Sequence, residues 1–219
     1  MTLSLPQQGN IFYAFSTPIL MRTWPDSAQL NASLQELVLA KERDSKGVTK
    51  SNLGGWQSEQ GLFHWQHPAI AELQRRVREA TIEITGKTCR EALQGLSEDL
   101  HVNGWANVSR DRSYNRIHAH SECTWSGVYY VSVGEPDPNV LDNGSIEFLD
   151  LQMAVHGGHA QLPGRPFGGQ LRVPPEPGLM VMFPSWLPHW VHPFQGSGVR
   201  ISIAFNVTLR FRPADDAPR

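Results

Sequence analysis

NRIHAHSECTWSGVYYV, residues 115–131, puts His118, His120 and Glu122 at every second position. In an extended chain alternate side chains share a face, so a strand here would project two imidazoles and a carboxylate into one small volume. Imidazole and carboxylate are the usual ligands of a catalytic divalent metal, which takes about three protein ligands and keeps open positions for reactants. The spacing therefore asks for a strand-built fold with a metal site on one face.

The surrounding chain is patterned for strands from His101 onward. Short alternating runs are separated by glycine, proline, asparagine and aspartate: LHVNGWANVS, SYNRIHAHS, TWSGVYYVSV, GSIEFLD, GLMVMFPS and GVRISIAFNVTLRF. Asn143-Gly144 is a hairpin signal just before Ser145. The Gly/Pro-rich stretch HGGHAQLPGRPFGGQ is longer than most connections and reads as a lid or binding loop.

Upstream the period changes to that of helices. After an extended segment interrupted by Pro18, Asp26 or Ser27 caps a helix running to about Lys41, with Leu30, Leu34, Leu37 and Val38 at helical spacing. His67-Pro68 opens a second, with Ile70, Leu73, Val77, Ala80 and Ile84 in one apolar stripe and an end near Leu96. Helices followed by antiparallel strands imply a mainly β fold, a sandwich or open barrel backed by helices. One domain over 1–219 is expected, with residues 1–100 packing on a barrel core of 101–212.

Two further segments extend the site. GLMVMFPSWLPHWVHPF ends a hydrophobic strand and presents His189 and His192 from a turn, either of which could complete a ligand set. GVRISIAFN then alternates, with Val199, Ile201, Ile203 and Phe205 on one face and Arg200, Ser202, Ala204 and Asn206 on the other. An arginine facing the inside of a small barrel requires an anion, because an unpaired buried charge is costly. Guanidinium pairs with a carboxylate in bidentate geometry, and a neighbouring hydroxyl adds a hydrogen bond.

Composition excludes several partner classes. A net charge of -2 with 19 dispersed basic residues gives no pull toward nucleic acid or an anionic membrane. Two cysteines, Cys89 and Cys123, are too few for a disulfide framework and fit a reducing compartment. No apolar run approaches the roughly 20 residues of a membrane span, and the N-terminus lacks a secretory pattern. A cytoplasmic protein is expected, with a homodimer as the commonest assembly among oligomers.

In order and spacing, the HxH pair, the GVYYV strand, the FP-x(4)-H turn and the RxS strand resemble the Fe(II)/2-oxoglutarate-dependent oxygenases, nearest to the prolyl-hydroxylase-like members. SNLGGWQS, H-x-H-x(5)-SGVYYV, FPSWLPHWV and RISIAFN are more narrowly similar to a bacterial and phage group of such oxygenases without a settled substrate. The resemblance implies a double-stranded β-helix, or jelly roll, with Fe(II) as cofactor and 2-oxoglutarate as cosubstrate. By position it makes His118 and His189 metal ligands, Arg200 the group that binds the far carboxylate of 2-oxoglutarate, and Ser202 its hydroxyl partner. Tyr130 becomes an extra contact to the cosubstrate, with Tyr129 in its place if the register differs by one.

The departure from the family pattern is at the second ligand, where most members have HxD and this chain has His120. Either His118, His120 and His189 form a three-histidine site, or His120, Glu122 and His189 make the usual two-histidine, one-carboxylate set. The first is preferred because the narrower resemblance centres on HxH. The activity expected is hydroxylation of a peptide or small molecule, with Trp186 and Trp190 beside His189 as candidate pocket walls. Two rival readings are a cupin-type dioxygenase or isomerase without 2-oxoglutarate, and a non-catalytic jelly-roll module. In the blandest reading Arg200 pairs with Glu147 or Asp150 across the sheet, His156 and His159 are solvated, and the histidines are structural.

Overall fold

The computed structural model describes residues 16–89, 100–150 and 170–210. Among the described residues eleven strands form two antiparallel sheets. β1 (Leu20–Thr23), β9 (Leu179–Pro184), β6 (Trp125–Pro136), β11 (Gly196–Thr208), β4 (His101–Ser109) and β3 (Trp56–Gln57) lie side by side in the larger one. The smaller has the order β2 (Asn52–Leu53), β5 (Tyr114–His118), β10 (His189–Val191), β7 (Ile146–Leu149) and β8 (Gln170–Val173). This is the expected mainly β jelly roll, with two supporting helices among the described residues.

Helices α1 (Ser27–Asp44) and α2 (Pro68–Thr88) cover one face of the larger sheet. α2 starts where sequence placed it, because Pro68 suits the first helical position and the His67 ring accepts the Ala69 N–H at 3.1 Å. It is described to Thr88, and the expected end near Leu96 lies outside the described residues. Leu34, Val38, Leu73 and Val77 from the helices pack on Ile201, Ile203, Phe205, Tyr129 and Met180.

The strict alternation of the central strands makes the larger sheet a partition. Ile201, Ile203, Phe205 and Val207 face the helices, while Arg200, Ser202, Ala204 and Asn206 line a cavity between the sheets. β6 divides likewise, with Trp125, Tyr129 and Val131 toward the helices and Val128 and Tyr130 toward the second sheet. The space between the sheets has an apolar end, where Val181 and Phe183 meet Ile146, Phe148 and Val173, and a polar end that stays open.

Two local expectations change. Asn143-Gly144 does not close a two-residue hairpin, since β6 and β7 belong to different sheets. The Asn143 side chain instead clamps the Gln195 backbone, donating to its carbonyl at 2.7 Å and accepting its N–H at 2.8 Å. The glycine-rich stretch with His156 and His159 lies outside the described residues apart from Gln170, which begins β8. Among the described residues no helix is long and apolar enough to cross a membrane.

Candidate metal and anion site

β10 pairs with both β5 and β7, and this places His189 directly opposite His118. The strand ends at His118, so His120 is not held by the ladder; its backbone N–H donates to the Ser185 carbonyl at 2.9 Å, which ties it to the turn before β10. One potential ligand atom from each of His118, His120 and His189 lies within 4.8 Å of the others. Ring centroids are 4.4 Å apart for His118 and His189, 5.0 Å for His118 and His120, and 5.4 Å for His120 and His189.

Glu122, the alternative ligand, is outside this group. The alternation that would have put it beside His120 breaks where the chain turns into β6: Glu122 has φ 65° and an exposed side chain. His192 is also elsewhere, its Nε2 2.7 Å from Glu147 and its ring stacked 4.0 Å from Trp190.

The chemistry of the histidines fits a divalent metal. His118 Nδ1 meets the Arg116 carbonyl at 2.7 Å and His189 Nδ1 the Leu187 carbonyl at 2.9 Å, so each carries its proton there and leaves the Nε2 lone pair free. Burial, with smaller repulsion from His118, lowers His189 to about 3 and His120 to about 4. Burial also lowers His118, partly offset by its bond to Arg116. Three imidazoles are thus neutral at pH 7, the form that binds metal.

Arg200 is 2% exposed and, among the described residues, pairs with no carboxylate. Its Nε has no hydrogen-bond partner, one terminal nitrogen donates to Ser202 Oγ at 3.5 Å, and its guanidinium carbon lies 5.3 Å from the Tyr130 ring centroid. Burial lowers its pKa, and Tyr130 offsets part of that. Glu147, the proposed across-sheet partner, is taken by Arg172 at 2.8 Å and by His192. Burial pushes the Glu147 carboxyl up, but these two partners more than reverse it. The Tyr130 hydroxyl is also buried without a partner, and burial raises its pKa despite the nearby Arg200. A cation with an unused donor beside an unused hydroxyl is a cradle for an anion. Of the two adjacent tyrosines, Tyr130 faces the cavity, whereas the Tyr129 hydroxyl donates to Asn31 on α1 at 2.7 Å.

Trp186 and Trp190 do not line the cavity. Trp190 follows His189 in β10 and so points to the opposite face, and Trp186 is 52% exposed. The tryptophan that does line it is Trp105, whose ring lies 5.8 Å from that of His120. Trp105 and Asn107 were legible in principle, since they alternate with Ala106 and Val108 in β4; Gln57, on a two-residue strand, gave no such signal.

Residues 103–206 match a family model described as "Putative 2OG-Fe(II) oxygenase". No curated protein matches the sequence. Among solved structures, a Pseudomonas putida prolyl-4-hydroxylase is similar with a TM-score of 0.63 at 16% identity, over 90% of this chain and 95% of that one. The viral collagen prolyl hydroxylase of Paramecium Bursaria Chlorella virus-1, solved with 2OG, gives 0.57 at 12% identity over 86% and 94%. The alpha ketoglutarate dependent epimerase SnoN of nogalamycin biosynthesis gives 0.61 at 10% identity over 89% and 79%. At these identities the likeness is one of fold.

Proposed function

We infer that this chain, whose residues 103–206 match a 2OG-Fe(II) oxygenase family model, is a working oxygenase that hydroxylates a peptide or small molecule. Fe(II) and 2-oxoglutarate are the cofactor and cosubstrate this family implies. His118, His120 and His189 are the residues that would hold the iron. When bound, iron with 2-oxoglutarate and O2 supplies oxidation of a C–H bond coupled to decarboxylation of the keto acid to succinate.

The remaining work falls to the protein. Arg200 and Ser202 bind the far carboxylate, the Tyr130 hydroxyl donates to it, and Phe148 and Phe183 pack on the His189 ring and shield one side of the site. Trp105 walls the cavity beside His120. The histidines enter the reaction already neutral, so metal binding displaces few protons at pH 7.

The observation that carries this reading is Arg200, a buried guanidinium with an unused Nε facing the same cavity as the three histidines. A cupin-type enzyme without a keto acid would need a carboxylate on its own substrate to meet it. Anaerobic titration with Fe(II) and then 2-oxoglutarate tests the reading through the visible charge-transfer band of the chelated keto acid. A band that is lost in Arg200→Met supports it; tight iron binding without a band returns the protein to the cupin class.

A further inference from the structure

Four polar side chains cross the larger sheet in a single rung. Gln57 on β3 lies opposite Asn107 on β4, Asn107 opposite Ser202 on β11, and Ser202 opposite Tyr130 on β6. Residues directly opposite share a face, and all four line the cavity. Ser202 and Tyr130 sit beside Arg200 and belong to the anion end. The other two are carboxamides, 5% and 8% exposed for Gln57 and Asn107.

Asn107 Oδ1 is buried with no hydrogen-bond donor. Such an oxygen is costly to leave unmet, and an unmet group at a cavity wall points to a ligand. At neutral pH 2-oxoglutarate is a dianion offering acceptors alone, so it cannot satisfy this atom. The donor must come from another molecule, and a cavity of about 620 Å³ has room for one beside a five-carbon diacid.

We propose that Asn107 and Gln57 are the specificity pair of this cavity, and that the molecule they select carries an amide, either a peptide bond or a primary carboxamide. Asn107 Oδ1 accepts the amide N–H and the Gln57 side-chain amide donates to its carbonyl oxygen. A carboxamide pair suits this ligand because each member both donates and accepts, matching a planar group that does the same. That this amide is the molecule oxidised rests on the oxygenase reading; that it binds here does not.

The test uses the full chain loaded anaerobically with Mn(II) and 2-oxoglutarate, and measures binding of N-methylpropanamide, propanamide and methyl propanoate by calorimetry. Both amides are expected to bind about tenfold or more tighter than the ester, which lacks the N–H. The first amide represents a peptide bond and the second a carboxamide, so their order tells the two sources apart. Asn107→Leu should erase the preference while 2-oxoglutarate affinity stays within about twofold. Since that variant removes an unmet buried group, its melting temperature should hold, and Gln57→Met on the two-residue β3, which removes the donor to the carbonyl that all three probes share, should weaken amides and ester together.

Equal binding of amides and ester, or no amide binding at tens of millimolar, overturns the proposal, a resident water then being what meets Oδ1. So does a large loss of 2-oxoglutarate affinity in Asn107→Leu, which would assign Asn107 to the keto acid. If the wild type binds neither metal nor keto acid yet still prefers amides, the oxygenase reading falls and the amide site stands.

Discussion

His189 lies directly opposite His118 in the pairing of β10 with β5, and a backbone bond from His120 to Ser185 brings the third imidazole to the same point. A short strand pair and one loop contact therefore bring His189 to two histidines that lie 71 and 69 positions before it in sequence (189 minus 118 and 189 minus 120). The smaller sheet contributes two of the histidines, and the larger sheet contributes the anion cradle.

The ligand assignment separates His120 from Glu122. His120→Ala should lower Fe(II) or Mn(II) affinity by at least the roughly 10–100-fold that losing even a residue supporting a ligand costs. Glu122→Gln, exposed and outside the cluster, should leave it unchanged. Metal titration of the two variants decides between the sets, and the reverse pattern would restore the carboxylate site.

The depressed histidines carry a pH dependence of stability. With His189 at about 3 and His120 at about 4 in the fold, against roughly 6.5 in an unfolded chain, the unfolded state binds more protons throughout that interval. Stability of the metal-free protein is therefore full above about pH 6.5 and declines as pH falls toward the folded values. Denaturant midpoints at about pH 7.5 and pH 5 should show the drop, and His120→Gln with His189→Gln should flatten it. A midpoint that rises on acidification would contradict the burial of these rings.

Arg200→Met should separate cosubstrate binding from folding. Loss of charge-assisted hydrogen bonds worth about 1.5–3 kcal/mol should weaken 2-oxoglutarate by roughly 10- to 100-fold while metal affinity holds. Because Arg200 is buried without a carboxylate, the ligand-free variant should be as stable as the wild type or more so. Chemical denaturation and keto-acid titration of the same preparation check both halves.

How much of this was legible in the sequence follows from range. The alternation of GVRISIAFN is local, so Arg200 and Ser202 were placed on the cavity face correctly, as was His118 on its strand. What failed depended on where strands stop. Alternation carries Glu122 onto the His118 face only where the strand continues, and it ends at His118; nearness in sequence to His189 suggests Trp190 as a pocket wall, and one step along β10 reverses its direction. The cavity role of Gln57 needed the pairing of β3 with β4, a long-range contact that two residues cannot announce.

The two adjacent tyrosines should behave oppositely. The Tyr129 hydroxyl is buried and bonded to Asn31, so Tyr129→Phe should cost about 1–3 kcal/mol by leaving Asn31 unmet. Tyr130→Phe removes a hydroxyl that has no partner, so stability should hold or rise while 2-oxoglutarate affinity falls. Melting temperature and keto-acid titration across the pair test the register of β6, since a shift by one residue would exchange the two outcomes.

Gly144 connects backbone conformation to the anion cradle. It has φ +66°, and a Cβ there would stand 3.2 Å from Arg200 Nε and 3.3 Å from its Cδ. Gly144→Ala should therefore cost about 1–2 kcal/mol for the left-handed backbone. It should also push the guanidinium, whose Nε is the unused donor. The expected signature is a lowered denaturation midpoint together with a weaker 2-oxoglutarate affinity at unchanged metal affinity. Were the loss confined to stability, the Arg200 side chain would have room to give, and its position would be set by Ser202 and Tyr130 rather than by the turn before β7.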